Sequence, residues 1–191
     1  FSDLAGWWKE FGTGPWLAVN ISGAQFREPN FVPDLQAMLE MADLSPEHVH
    51  LEITEDVLIE NLARNRAVLE QLDDLGLTLV VDDFGVGYSS MAYIKNFPVS
   101  AIKIDQGFVR DLEIDRDDQA ITRTICNLSR SLRLDTVAEG IEKPAQLQAL
   151  RSYGCPLGQG YLFLAPSGPD AIRRILAGER PWEFSVSAGS A

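Results

Sequence analysis

Short apolar runs alternate along the chain with longer stretches in which leucine and isoleucine recur at helical spacing. Residues 17–21, 49–54, 77–82, 101–104 and 134–138, with a weaker run at 160–163, predict strands. Between them Leu62, Leu69, Leu72 and Leu75, and then Ile121, Ile125, Leu128 and Leu132, mark one face of two helices. Pro46, Gly76, Pro98, Pro144 and Gly154 fall at element boundaries, where turn and cap chemistry needs them. Six strand–helix units in series predict a parallel sheet with right-handed crossovers.

Residue parity then separates an open, doubly wound sheet from a closed barrel, because successive side chains of a strand face opposite sides. Leu17, Val19 and Ile21 oppose Ala18, Asn20 and Ser22. Val49, Leu51 and Ile53 oppose His50, Glu52 and Thr54. Leu77, Leu79 and Val81 oppose Thr78, Val80 and Asp82, and Ile102 and Ile104 oppose Ala101, Lys103 and Asp105. Strands covered by helices on both faces read as nearly continuous apolar runs. These strands have one bulky apolar face and one smaller, more polar face, which predicts helices outside and a lumen inside. Length alone favours the open sheet, since a barrel takes eight strands and about 250 residues. However, Gly85 and Gly87 follow a strand without the third glycine of a dinucleotide-binding turn. The fold expected is therefore an α/β, TIM-type (β/α) barrel that is incomplete, with about two of its units missing and two sheet edges needing cover. Glu139 shares its parity with Val137 and Ile141, and is read as lying past its strand end.

Polar residues close these strands: Asn20, Glu52, Asp82 with Asp83, Lys103 with Asp105, Glu139 with Glu142, and Gln159. Active sites of parallel barrels sit at the C-terminal ends of the strands. Carboxylates with an amide and a lysine make a hard-oxygen site suited to Mg2+ or Mn2+. Zinc is disfavoured, because the only histidines are His48 and His50 and no cysteine accompanies them. Singly, each residue has an ordinary reading. Asn20 forms turns, Asp82 and Asp83 cap a short helix beginning near Ser89, Glu55 caps or solvates a helix, and Lys103 makes a structural ion pair. His50 reads as a core or surface histidine, and Trp7, Trp8, Phe26 and Phe31 read as packing residues. The recurrence of such residues at one strand end after another points to a site.

Charge narrows the ligand. The 191 residues carry 16 lysines and arginines against 28 aspartates and glutamates, a formal net charge of −12. That surface repels nucleic-acid polymers, whereas a small anion can bind where cations intervene. No apolar run approaches the ~18 residues of a membrane span, and nothing resembles a signal peptide. Cys126 and Cys155 lie far apart in sequence and read as two reduced thiols of a cytoplasmic domain. The first residue is Phe1 rather than Met, which suggests numbering that begins inside a longer protein.

Six segments together resemble one family. They are Asn20-Ile21-Ser22, Leu51-Glu52-Ile53-Thr54-Glu55, the stretch Asp82-Asp83-Phe84-Gly85-Val86-Gly87-Tyr88-Ser89-Ser90, Ile102-Lys103-Ile104-Asp105, Ala138-Glu139-Gly140-Ile141-Glu142 and Gln159-Gly160-Tyr161. In order and spacing they resemble the EAL domain, whose members hydrolyse cyclic di-GMP to linear pGpG. The resemblance implies that Asn20, Glu52 and Asp82 hold a first metal and that Asp82 bridges to a second, which Asp83 also holds. It implies that Lys103 orients the attacking water and the phosphate, and that Glu139 serves as base or second-metal ligand. Glu55 would anchor the loop 83–90 and link metal binding to dimerisation, while Asp105, Glu142 and Gln159 would support the site or contact ligand. The Glu-Ala-Leu signature that names the family, with its metal-binding glutamate, is absent from this chain. The expectation is thus a partial EAL domain over 1–178 with a tail at 179–191. It would be homodimeric through the barrel, in a protein carrying upstream sensor or diguanylate cyclase domains that can anchor it to a membrane. Two other readings are a cyclic di-GMP receptor or scaffold without catalysis and an unrelated Mg2+ barrel enzyme such as an enolase-like lyase; the segment 82–90 argues against the latter.

Overall fold

The computed structural model describes residues 1–12, 14–86 and 94–179. Among them, six strands form one all-parallel sheet: β1 (Leu17–Ile21), β2 (Val49–Thr54), β3 (Thr78–Phe84), β4 (Ala101–Ile104), β5 (Asp135–Ala138) and β6 (Leu157–Gly158). Their order in space, β1-β2-β3-β4-β5-β6, is their order in sequence. A doubly wound sheet reverses direction at a switch point; this one never does, so it is a curved barrel wall. Within the described residues β1 pairs only with β2 and β6 only with β5, which leaves the wall an incomplete TIM-type arc, as the strand count predicts.

The helices lie on the bulky apolar face. Val49, Leu51, Ile53, Leu79, Val81, Ile102 and Ile104 are at most 1% exposed beneath Leu69, Leu72, Ile125 and Leu150 of the covering helices. Burying each such side chain contributes about 1.5–3 kcal/mol. Leu17 and Val19 of the edge strand β1 are only half-buried. Local signals set the helix limits. Asp115 accepts hydrogen bonds from the Asp117 and Asp118 N–H groups and starts Arg116–Leu132; Arg133, at φ 62°, ends it. Pro144 opens Pro144–Tyr153 and Gly154, at φ 80°, closes it. The helices Ser2–Phe11 and Pro169–Leu176, near the two ends of the described chain, are joined by an ion pair between Glu10 and Arg173. Cys126 and Cys155 are both buried and free, and the Cys155 thiol donates to the Thr136 and Leu157 carbonyls at 3.4 and 3.2 Å.

Two details differ from the sequence-based expectation. The last strand is Leu157–Gly158 rather than 160–163, because pairing with Val137 and Ala138 fixes it. Beyond it the chain turns, with the Phe163 and Leu164 N–H groups both donating to the Gly160 carbonyl. Strand propensity of Tyr161 and Phe163 yields here to the ladder. β3 runs on to Phe84 instead of stopping at Asp82. Glu139 lies just past the end of β5, as expected; Lys103 pairs with Val137, so Val137 faces the lumen and Glu139 follows it on the same side. The helix expected near Ser89 and the tail from residue 180 lie outside the described residues.

Gly160 is the tightest joint. The Ile141 N–H donates to the Gln159 carbonyl and the Leu162 N–H donates to the Ile141 carbonyl, at 3.0 and 2.9 Å, so the two segments run against each other. A Cβ on Gly160 would collide with the Ile141 backbone, whereas one on Gly6 meets nothing within 4 Å. Gly160→Ala should therefore lower stability by about 2 kcal/mol or more, and Gly6→Ala, within a helix, should raise it by about 0.4–1 kcal/mol. Urea unfolding of both variants checks the pair; equal effects would contradict the packing described.

Candidate metal centre

Strand parity delivers the site. Asn20 and Glu52 are register partners on β1 and β2, and Lys103 projects into the same lumen from β4. Asp82 and Asp83 are consecutive and would face opposite sides in a regular strand. A bulge prevents this. Val81 pairs with Ile102 and Phe84 with Ile104, so two residues of β3 stand against Lys103 alone. Asp83 takes up the extra length at φ 52°, a left-handed conformation uncommon outside glycine. As a result, carboxylate oxygens of Asp82, Asp83 and Glu139 all lie within 4.8 Å of one another.

Lys103 occupies the middle of the cluster. Its Nζ lies 2.6 Å from Glu52 Oε2, 3.2 Å from Asp82 Oδ1 and 2.5 Å from Glu139 Oε1. Burial works against the ammonium, but the hydrogen bonds and charges of Glu139 and Glu52 outweigh it and hold the proton well above the ordinary lysine range. Burial pushes the Glu139 carboxyl up; Lys103 opposes this, while Asp82 and Glu52 reinforce it. Asp83, although exposed, is also raised, by partial loss of water at its carboxylate and by repulsion from Asp82 and Asp105. Gln159 Nε2 donates to Glu139 Oε1 at 2.8 Å and fixes that side chain from outside.

The donor set fits a divalent cation. Glu52, Asp82, Asp83 and Glu139 face a single ammonium, which leaves a marked excess of negative charge in a partly dehydrated space. The Asn20 amide sits 3.2 Å from both Glu52 Oε2 and Asp82 Oδ2. With its nitrogen turned inward it donates to both. With its oxygen turned inward, three oxygens converge with no proton between them, an arrangement a hard cation stabilises.

Of the other residues singled out by sequence, Glu55 is buried at the start of helix Glu55–Glu60 and faces the Gly85 N–H at 3.5 Å, on the chain leaving β3. Gly87, Tyr88, Ser89 and Ser90 of that loop lie outside the described residues. Asp105 caps the helix Gln106–Arg110, accepting from the Gly107 N–H at 2.8 Å. Glu142 is exposed and stands apart from the carboxylate cluster, lining with Asp105, Arg110 and Lys143 a cavity of about 380 Å3. His50 stacks on Trp16 with ring centroids 4.2 Å apart, and burial lowers its pKa.

Two supporting residues escaped the sequence reading. Asn65 Nδ2 donates to the Val57 and Leu58 carbonyls and ties down the helix that carries Glu55; an asparagine inside a helical pattern gives no signal of this. Gln146 Oε1 accepts from the Glu142 and Lys143 N–H groups and its Nε2 donates to the Arg110 carbonyl, fastening the loop after Glu139 to the helix after Asp105. Its place in the first turn after Pro144 is a capping position, and that signal was readable.

The EAL domain profile matches residues 1–166. The bifunctional diguanylate cyclase/cyclic di-GMP phosphodiesterase MucR of Pseudomonas aeruginosa is 41% identical over 171 residues, covering 89% of this chain and 25% of its own length. The structure of the MucR phosphodiesterase in complex with c-di-GMP superposes with a TM-score of 0.84 at 36% identity, over 90% of this chain and 70% of that one. The Klebsiella pneumoniae BlrP1 complex with manganese and cyclic di-GMP gives 0.74 at 34% identity, over 83% of this chain and 41% of that one. The chain thus spans about a quarter of the length of such curated relatives.

Lys103→Met removes the ammonium and leaves its partners buried, and should destabilise the cation-free chain by about 3–5 kcal/mol in urea unfolding; a loss under about 1 kcal/mol would mean that solvent screens the cluster. Asp83 and Glu139 hold protons above the ordinary carboxylate range, so an incoming cation must displace them. The rise in Tm on adding Mn2+ should therefore be larger near about pH 8 than near about pH 5; an equal or larger rise at the lower pH would contradict this.

Proposed function

This chain belongs to the EAL domain family, and from that premise we propose that it carries the machinery for hydrolysing cyclic di-GMP to linear pGpG with two divalent cations, Mg2+ or Mn2+. The observation that carries the reading is the convergence of Asn20, Glu52, Asp82, Asp83 and Glu139 on one lumen position around Lys103. Asn20, Glu52 and Asp82 would hold the first cation, and Asp82 with Asp83, and Glu139 if it ligates, the second. Cations held there would supply Lewis-acid charge to the phosphodiester and acidify a water beside it.

The remaining chemistry belongs to side chains of this chain. The Lys103 ammonium, kept charged by its carboxylate partners, faces a phosphate oxygen and stabilises the negative charge that grows on it. Glu139 accepts a proton from the attacking water; burial, which raises its carboxyl, makes it a better base than an exposed glutamate. Gln159 holds Glu139 in place. Asp105 and Glu142, on the wall of the neighbouring cavity, would support the ligand. Glu55, acting through the chain at Gly85, would couple the Asp82–Asp83 corner to the loop beyond it and to a homodimer contact. The domain is assigned to residues 1–178, in a cytoplasmic location, within a longer protein bearing upstream sensor or cyclase domains. Among the described residues no helix is long and apolar enough to cross a membrane.

A second reading is a receptor that binds cyclic di-GMP without cleaving it. Chromatography of the reaction products with Mn2+, alongside calorimetric binding of cyclic di-GMP, separates the two. Hydrolysis should yield pGpG, and Glu139→Gln should lower kcat by about 100-fold or more while binding persists. Binding with no pGpG would support the receptor; undiminished turnover by Glu139→Gln would remove Glu139 from the chemistry.

A further inference from the structure

Away from the carboxylate centre, on the outer surface between helices Arg116–Leu132 and Pro144–Tyr153, a cleft of about 290 Å3 collects three arginines. We propose that it is a binding site for a phosphate group, carried either by inorganic phosphate or by a small phosphomonoester such as a nucleotide. Arg123, Asn127 and Arg130 follow one another at i, i+4 and i+7 and so share a helix face; Arg151 enters from the other helix.

Charge makes the cluster unusual. The chain carries 28 acidic residues against 16 basic ones, and Arg27, Arg66, Arg110, Arg173 and Arg174 each have a carboxylate partner. Among the described residues six arginines have none, Arg64, Arg116, Arg123, Arg130, Arg133 and Arg151, and it is the gathering of three of these six in one cleft, although carboxylates are in excess, that sets the site apart. Two of the three are held in position. Arg130 Nη2 donates to the Tyr153 carbonyl at 2.9 Å, and the Arg123 guanidinium lies 4.7 Å from the centroid of the Tyr153 ring. Neither contact neutralises charge, so both guanidiniums keep donors for a ligand and lose little freedom on binding it.

An ordinary explanation covers part of this. Arg130 and Arg151 lie in the last turns of their helices, where cations offset the macrodipole. Each helix end carries only about half a negative charge, so two ends do not balance three guanidiniums, and Arg123 lies in mid-helix. The surplus suits a small dianion. Guanidiniums bind phosphate through paired hydrogen bonds, and the Asn127 amide adds a further polar group in the same wall.

The test uses the full chain in EDTA at low ionic strength, titrated by calorimetry with inorganic phosphate and separately with adenosine 5′-monophosphate. Saturable binding of at least one is expected. It should weaken about tenfold or more in Arg151→Gln and in Arg123→Gln, and persist in Asp82→Asn, which alters only the carboxylate centre. Tighter binding of the nucleotide identifies a phosphomonoester as the natural source; equal or weaker binding identifies the free ion. Because Arg130 also supports the Tyr153 carbonyl, Arg130→Gln is informative only with an unchanged Tm, and the other two variants carry the decision. Absence of saturable binding, or binding that Arg151→Gln and Arg123→Gln leave intact, overturns the proposal.

Discussion

Four carboxylates surround one ammonium; Glu52 and Asp82 are shut off from water with it, Glu139 is half-buried and Asp83 is exposed. Lys103 is 3% exposed, and Glu52 and Asp82 are 8% exposed. Dehydrated like charges at such separations repel strongly, and a single lysine offsets only part of the repulsion. Much of the surrounding architecture serves to hold this arrangement together. The outer face of the sheet is packed with β-branched and leucine side chains, and that burial supports a polar inner face unfavourable by itself. The same imbalance explains why the site is suited to cations: a divalent ion removes a repulsion that the fold otherwise has to sustain.

The bulge in β3 is the local device on which the centre turns. A regular strand would send Asp83 to the helix side, where an unpaired carboxylate is costly. One extra residue and one left-handed backbone bring both aspartates to the lumen. Beyond them, Glu55 faces the Gly85 N–H and is itself steadied through Asn65. Geometry at the carboxylates is thereby tied to the chain that leaves the strand, a physical route by which ligand binding can be felt outside the lumen.

Much of this was legible in the sequence. Alternation of Val49, Leu51 and Ile53 with His50, Glu52 and Thr54 gave the inside and outside of the wall, and strand ends gave Asn20, Glu52, Asp82, Asp83, Lys103 and Glu139 as one cluster. What was not legible depended on long-range pairing. Val137 fixed β6 at Leu157, against the local preference of Tyr161 and Phe163. The register of β5 on β4 sets Val137 beside Lys103, so an apolar residue shares the lumen face with Glu139. That Glu142 and Asp105 share one cavity wall also depends on how the segments after β4 and β5 pack. Arg123, Arg130 and Arg151 looked like scattered surface charges until two helices were laid side by side.

The central claim is that strand-end oxygens from separate parts of the chain converge to hold divalent cations. Its most direct test is the uptake of Mn2+ by the isolated chain, followed by the loss of the free-ion electron paramagnetic resonance signal. Saturable uptake that falls sharply in Asp82→Asn, the variant at the residue shared by both proposed positions, is the predicted result. No uptake, or uptake that Asp82→Asn leaves unchanged, would contradict the account.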